Sequence, residues 1–202
     1  MNLDEHSLRR RTDTPHPRPT ETGDDGHLGL PVDGKWPVAV ASLGGVSEIE
    51  VVRIGPDEWQ EFRSVRLASL RDAPGAFGAR YDDWVAADGD RWRRRLVDVP
   101  LTLVARSDGH PVGVVSGADD GQRVELISMW VAPEQRGTGL AGRLIEQVVA
   151  WAASHERPTF LMVRDDNEAA IRSYARAGFT DLGVPDGWPA DAPLERRMRH
   201  DG

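Results

Sequence analysis

The chain has no cysteine, so disulfides, thiolate metal sites and a cysteine nucleophile are excluded at the outset. Its six histidines, His6, His16, His27, His110, His155 and His200, are scattered, and none makes the close helical pair that zinc enzymes use. Chemistry without a metal is the expectation. No apolar run approaches the roughly 20 residues of a membrane span, and Met1-Asn2-Leu3-Asp4-Glu5 is the wrong chemistry for a signal peptide. Arg9-Arg10-Arg11 is followed by polar residues and proline, where a twin-arginine export signal needs an apolar segment. A cytoplasmic location is therefore expected. Positive charge is also in deficit. The formal net charge of −8 and a pI near 5.2 repel nucleic acid and anionic membranes at long range, so neither is expected as a partner. A small cationic molecule is easier to accommodate.

With 202 residues, 39% of them hydrophobic, the chain can bury one sizeable core but not two enzyme domains. Residues 1–47 are rich in Pro, Thr, Asp, Gly and Arg and poor in large apolar side chains, so they cannot offset their own ordering entropy. They read as a flexible arm. Trp36 and Val38-Ala39-Val40 are the exception, and leave open a docked segment that gates a site. Residues 48–200 form the domain, as a monomer or homodimer.

Residues 49–54 alternate in β-branched side chains and predict a strand; Gly55-Pro56-Asp57 then turns the chain, with Asp57 as N-cap of a helix to Arg71. Trp59, Phe62, Leu67 and Leu70 give that helix an apolar face, and Asp72-Ala73-Pro74-Gly75 ends it. A shorter helix is predicted over 90–96, where Arg93-Arg94-Arg95 reads as a solvated face. Strands over 101–106, 112–117 and 123–131, joined by Asp/Gly turns, make an antiparallel meander. A helix over 139–155 crosses to an apolar strand at 159–163, which is expected to be buried on both faces and parallel to the strand ending at Val131. Asp166 or Asn167 caps a last helix, Gly178 closes it, and strands over 179–184 and 194–199 finish the sheet around a Pro- and Gly-rich loop. The fold class is α/β (α+β), a mixed and mainly antiparallel central sheet flanked by helices.

The stretch that organises the rest runs from Met129-Trp130-Val131 through Pro133 into Arg136-Gly137-Thr138-Gly139-Leu140-Ala141-Gly142. Pro133 stops the strand, and two glycines let the backbone turn its N–H groups onto an anion at a helix N-terminus. One reading is a dinucleotide fingerprint, with Asp165 as the ribose-binding acid of a Rossmann-type oxidoreductase that takes NAD. Too few strand and helix units follow to build a doubly wound sheet.

Arg136-Gly137-Thr138-Gly139-Leu140-Ala141 after that strand resembles the acetyl-CoA pyrophosphate loop of the GNAT superfamily of N-acetyltransferases. Asn167-Glu168-Ala169-Ala170-Ile171-Arg172-Ser173-Tyr174-Ala175-Arg176-Ala177-Gly178-Phe179 is similar to that family's late helix and the Gly-Phe of its next strand. The resemblance implies acetyl transfer from acetyl-CoA to an amine. It implies that backbone N–H groups of about Gln135 to Ala141 hold the pyrophosphate, that Met129, Trp130 and Val131 splay from the neighbouring strand with mostly core side chains, and that Asn167 approaches the cofactor. Arg136 either reaches the phosphates or braces the loop through a carboxylate.

Tyr174 is the general-acid candidate. An ordinary phenol near pKa 10 stays protonated at neutral pH and can face a thiolate whose parent thiol titrates near 8.5 on the cysteine scale. The alternative is a tyrosine that only packs the helix on the sheet. Glu125, the carboxylate inside the strand that leads to the loop, is the base candidate; a solvated surface glutamate is its other reading. Phe77, Tyr81, Asp82, Asp83 and Trp84 fall where the resembled family lines the acceptor side. Here core aromatics beside a solvated acidic turn remain the competing account. The expected acceptor is a primary amine on a small, polar, cationic molecule. A domain of this kind that binds acetyl-CoA without turnover, as a sensor, is the alternative.

Overall fold

The computed structural model describes residues 48–202, and the expected arm, with Trp36 and Val38-Ala39-Val40, lies outside the described residues. β1 (Ile49–Arg53) leads through a 3₁₀ turn (Pro56–Glu58) into α1 (Trp59–Asp72). Asp57 does not cap this start. Glu58 reaches back instead, and its Oε2 accepts the Gly55 N–H at 2.9 Å. α2 (Tyr81–Val85) and α3 (Gly89–Asp98) follow, the latter capped by Asp88, whose carboxylate accepts the Arg91 N–H at 2.8 Å. Trp92 packs between Trp84 and Phe62, with ring centroids 4.5 and 5.8 Å apart, and so fastens α3 to α2 and α1. Arg93 and Arg94 are solvated as expected, but Arg95 is buried under the sheet, because its turn of α3 faces inward.

β2 (Leu101–Ser107), β3 (His110–Asp119) and β4 (Val124–Val131) form the antiparallel meander. The first hairpin turns on Asp108 and Gly109, both at positive φ (49° and 78°), the pairing a two-residue turn needs to match strand twist. α4 (Leu140–Ser154), β5 (Thr159–Arg164), α5 (Glu168–Arg176), β6 (Thr180–Asp181) and β7 (Glu195–His200) complete one seven-stranded sheet in the order β1-β2-β3-β4-β5-β7-β6. Among these strands β4 and β5 are the one parallel pair, so the sheet is not doubly wound. Asp165 is taken up by Arg196 rather than left to bind a ribose.

Helices cover both faces of the sheet. A Cβ built on Gly113 would lie 3.2 Å from Leu144, and one on Gly117 would lie 3.4 Å from both Val148 and Trp151, which places α4 directly on β3. On the opposite face Trp130, register partner of Val114, bonds Asp72 at the end of α1. β5 departs from expectation: Leu161 and Val163 are buried, while Phe160 and Met162 are half-buried. Phe160 lies beneath the guanidiniums of Arg123 and Arg199, and Met162 faces an open cleft. The expected strand over 179–184 shrinks to two residues, since Gly183 at φ 76° breaks the extended backbone.

Leu140, Leu144, Ile145 and Val148 of α4 are essentially fully buried and form the part of the core that lies under this helix. Leu144→Ala is therefore expected to cost about 2–5 kcal/mol, measured as a lowered urea midpoint with an unchanged slope.

Candidate active site

β4 and β5 share only two registered pairs, Val124 with Thr159 and Glu125 with Phe160. Beyond Glu125 the strands part, while β4 keeps β3 as its partner through Val131. On that side β4 carries a bulge. Ser116 pairs with Ile127 and Val114 with Trp130, so Ser128 and Met129 together oppose Val115. Ser128 sits at φ 57°, buried, and its Oγ accepts a hydrogen bond from the Arg95 guanidinium at 3.3 Å. Parting and bulge open a cleft of about 860 Å³, walled by β4, β5, the start of α4, α5 and the segment after α1.

One end of the cleft is the glycine loop. β4 stops at Val131, and Pro133–Gln135 makes a 3₁₀ turn, as the proline requires. Gly137 and Gly139 then adopt φ of 80° and 88°, with nothing within 4 Å of where a Cβ would stand. Any other residue would be strained there, and a side chain would project into open space. No side chain caps α4, and its first turn closes only at the Arg143 N–H, which bonds the Gly139 carbonyl at 3.2 Å. The N–H groups ahead of it are left for an anion, so a diphosphate fits this cradle.

Gln135, Gly137, Gly139, Ala141 and Gly142 line the cleft, as do Met129, Trp130 and Val131. Trp130 and Val131 are buried and Met129 half-buried. Thr138 and Leu140 stay outside the lining: Thr138 donates its hydroxyl to the Gln135 carbonyl at 2.8 Å, and Leu140 is core. Arg136 braces. Its Nε donates to the Val131 carbonyl at 3.1 Å, and its Nη2 donates to the Asp72 carboxylate. Asp72 also accepts the Trp130 indole N–H at 2.8 Å. That bond and then Arg136 hold the Asp72 carboxyl below its ordinary range, against the opposing effect of burial.

The far wall is α5. Asn167 caps it, its Oδ1 accepting the Ala170 N–H at 3.1 Å, and also lines the cleft. Ala170, Ser173, Tyr174 and Ala177, at helical spacing, turn one face of α5 inward. Tyr174 is buried against Phe179, ring centroids 5.9 Å apart, and desolvation alone pushes its phenol well above the usual 10. Glu125, half-buried, stands at the last paired position before the strands separate.

Of the five acceptor-side candidates, Phe77 lines the cleft, with the Arg66 guanidinium 4.5 Å from its ring. Tyr81 accepts a bond from Arg71, Trp84 is core, and Asp82 and Asp83 are exposed on α2; these four lie away from the lining. Sequence reasoning missed Asp72, Ser128 and the arginines Arg164, Arg172 and Arg176. The helical spacing of Ala169, Arg172 and Arg176 along α5 was the available signal for its two arginines; nothing local marks Asp72, whose partner is 64 residues away.

The profile of the Acetyltransferase (GNAT) family matches residues 53–179. An acetyltransferase of Pectobacterium atrosepticum is 36% identical over 94 residues, covering 46% of this chain and 67% of that one. Among solved structures, a GNAT-family acetyltransferase of Streptococcus pneumoniae superposes with a TM-score of 0.63 at 19% identity, over 75% of this chain and 97% of that one. The protein yncA of Salmonella typhimurium, solved with its cofactor acetyl-CoA, gives 0.55 at 22% identity, over 76% and 92%. No helix of the described residues is long and apolar enough to cross a membrane, and no group of metal-binding side chains gathers among them.

Gly139→Trp is expected to fill the cradle. Calorimetry should show acetyl-CoA binding lost, and circular dichroism should show the fold retained.

Proposed function

The chain belongs to the GNAT family and is an acetyl-CoA-dependent acyltransferase, and we propose that its acceptor is the primary amine of a small, polar, cationic molecule. The observation that carries this reading is the gap between β4 and β5, which opens at Glu125 and has the anion cradle at one end and Tyr174 in its far wall. Acetyl-CoA supplies the acetyl group as an activated thioester. Gln135 through Gly142 would hold its diphosphate by backbone N–H groups, with Asn167 beside it. The unpaired edge of β4 beyond Glu125 offers main-chain donors and acceptors to the rest of the molecule.

An aliphatic amine with a pKa near 10.4, as in lysine, arrives protonated and must lose a proton before it can attack. Glu125, directly or through one water, is the group we assign to take it. Tyr174 holds its proton across the working pH range, because burial disfavours the phenolate. A phenol above 10 is a weaker acid than a free thiol near 8.5, so Tyr174 acts first as an O–H donor to developing negative charge. The leaving thiolate is stabilised by that hydrogen bond and takes its proton as it passes into water.

Asp82 and Asp83 lie outside the cleft lining, so on this reading capture of a cation rests on the lining carboxylates Glu125 and Glu146 and on the chain's net charge of −8. Arg66 and Arg95 stand behind Phe77 and Ser128 and do not line the cleft, whereas the carboxylates of Glu125 and Glu146 do. In an amine screen that reads released thiol, cationic amines should outcompete neutral and anionic ones at low salt. Preference for anionic amines would overturn the acceptor class.

Tyr174→Phe should lower kcat by roughly 10²- to 10⁴-fold with the acetyl-CoA Kd unchanged by calorimetry; equal turnover would leave Tyr174 as packing alone. For the unsubstituted chain kcat/KM should rise with pH through an ionisation that Glu125→Gln displaces or removes. A pH profile identical in both proteins would place the base elsewhere.

A further inference from the structure

Asp72 is the last residue of α1, and the segment that follows it supplies Ala73, Ala76, Phe77 and Gly78 to the acceptor side of the cleft. Its carboxylate is the meeting point of two elements from the cofactor side. One is the Trp130 indole near the end of β4, at 2.8 Å, and the other is the guanidinium of Arg136, the residue before Gly137. One edge of that planar guanidinium is committed, Nη2 to Asp72 and Nε to the Val131 carbonyl at 3.1 Å. Arg136 is therefore tied to the strand end by that edge while it lines the cleft, and it does not fill the open space at the Cβ positions of Gly137 and Gly139. Fifty-eight and sixty-four residues of chain separate the partners, so no local feature of the backbone makes these contacts redundant.

We propose that Asp72 is a positioning residue that locks the glycine loop and the end of β4 to the acceptor-side segment, acting through Arg136 and Trp130. On this reading Arg136 braces the loop from behind and leaves the diphosphate to backbone N–H groups. The acceptor wall then responds when acetyl-CoA orders the loop, because both hang from one carboxylate. An ion pair between a 53% exposed guanidinium and a 28% exposed carboxylate contributes little to global stability. Its effect belongs in the coupling of the two halves of the site.

The inference rests on acetyl-CoA binding at the loop, and the test separates the two. The full chain and its Asp72→Ala, Asp72→Asn, Arg136→Met and Asp72→Ala/Arg136→Met variants are titrated with acetyl-CoA by calorimetry. Amide hydrogen exchange is then followed in residues 73–80 and 133–142, with and without acetyl-CoA. In the unsubstituted chain acetyl-CoA should slow exchange in both segments. In Asp72→Ala it should slow only 133–142, and the Kd should rise roughly tenfold, as for directly coupled neighbours. The double variant should bind no more weakly than the weaker single one. Asp72→Asn, which keeps an oxygen for Trp130 but not the charge, should fall between, and all melting temperatures should stay close together. Exchange in 73–80 that answers acetyl-CoA equally with and without Asp72 would overturn the proposal. So would additive losses in the double variant with Arg136→Met far the weaker single, the pattern of a direct phosphate ligand. Failure of the unsubstituted chain to bind acetyl-CoA would remove the cofactor reading and this inference together.

Discussion

The site depends on how short the parallel pairing of β4 and β5 is. A parallel ladder is held by slanted hydrogen bonds, and here two registered positions fasten the strands before they diverge. β4 does not collapse into the gap, because its antiparallel contact with β3 continues to Val131 and β3 is pinned from both sides, by α4 on one face and the α1 layer on the other. The bulge at Ser128 adds the extra twist that aims the end of β4 away from β5. An unpaired strand edge inside a protein leaves main-chain donors and acceptors that want partners. An extended ligand with amide groups of its own would meet that demand, so the same separation offers both space and hydrogen-bonding partners.

α5 closes the cleft and carries its acid candidate, two tasks with conflicting needs. Packing wants Tyr174 buried, whereas donation wants its hydroxyl in reach of the reacting atoms. The helix places the ring against Phe179, while small residues, Ala170, Ser173 and Ala177, keep the neighbouring positions of the cleft-facing side low. The raised phenol follows from the burial alone. Asn167 starts the helix at the cleft edge, so the cap that fixes the register of α5 also fixes where Tyr174 projects.

Much of this was legible because it is local. Pro133 ending a strand, two glycines opening a helix, Asn167 as a cap and Gly178 at φ 90° are all decided within a turn or two of chain. The parallel β4–β5 joint followed from the helical crossover between them. What escaped is non-local or masked by regular patterning. The bulge falls on a serine rather than a glycine, inside a strand whose buried and half-buried residues alternate without a break from Val124 to Trp130. Arg95 looks like its exposed neighbours Arg93 and Arg94 until α3 is docked and its inward face is known. Asp72 reads as an ordinary helix terminus, since its two partners lie 58 and 64 residues further along the chain. Met162 falls in an apolar run that predicts a strand covered on both faces, and only the cleft leaves one side open.

The charges divide in a way that the net value conceals. The chain is acidic overall, yet the cofactor side of the cleft carries Arg136, Arg164, Arg172 and Arg176. Asp72, Asp166 and Glu168 pair with the first three, so much of that positive charge is cancelled within a few ångströms. What holds an anion there is then short in range: helix N–H groups, the local dipole and Arg176 at the rim. A cation approaching from solution feels the opposite balance, a weak attraction summed over the whole surface and screened beyond roughly 8–10 Å at moderate salt. The two substrates of such a site are thus drawn by forces of different reach. An anionic substrate would be recognised on contact by backbone geometry, while a cationic acceptor of the kind proposed would be gathered at a distance by net charge and sorted at the cleft's carboxylates, Glu125 and Glu146.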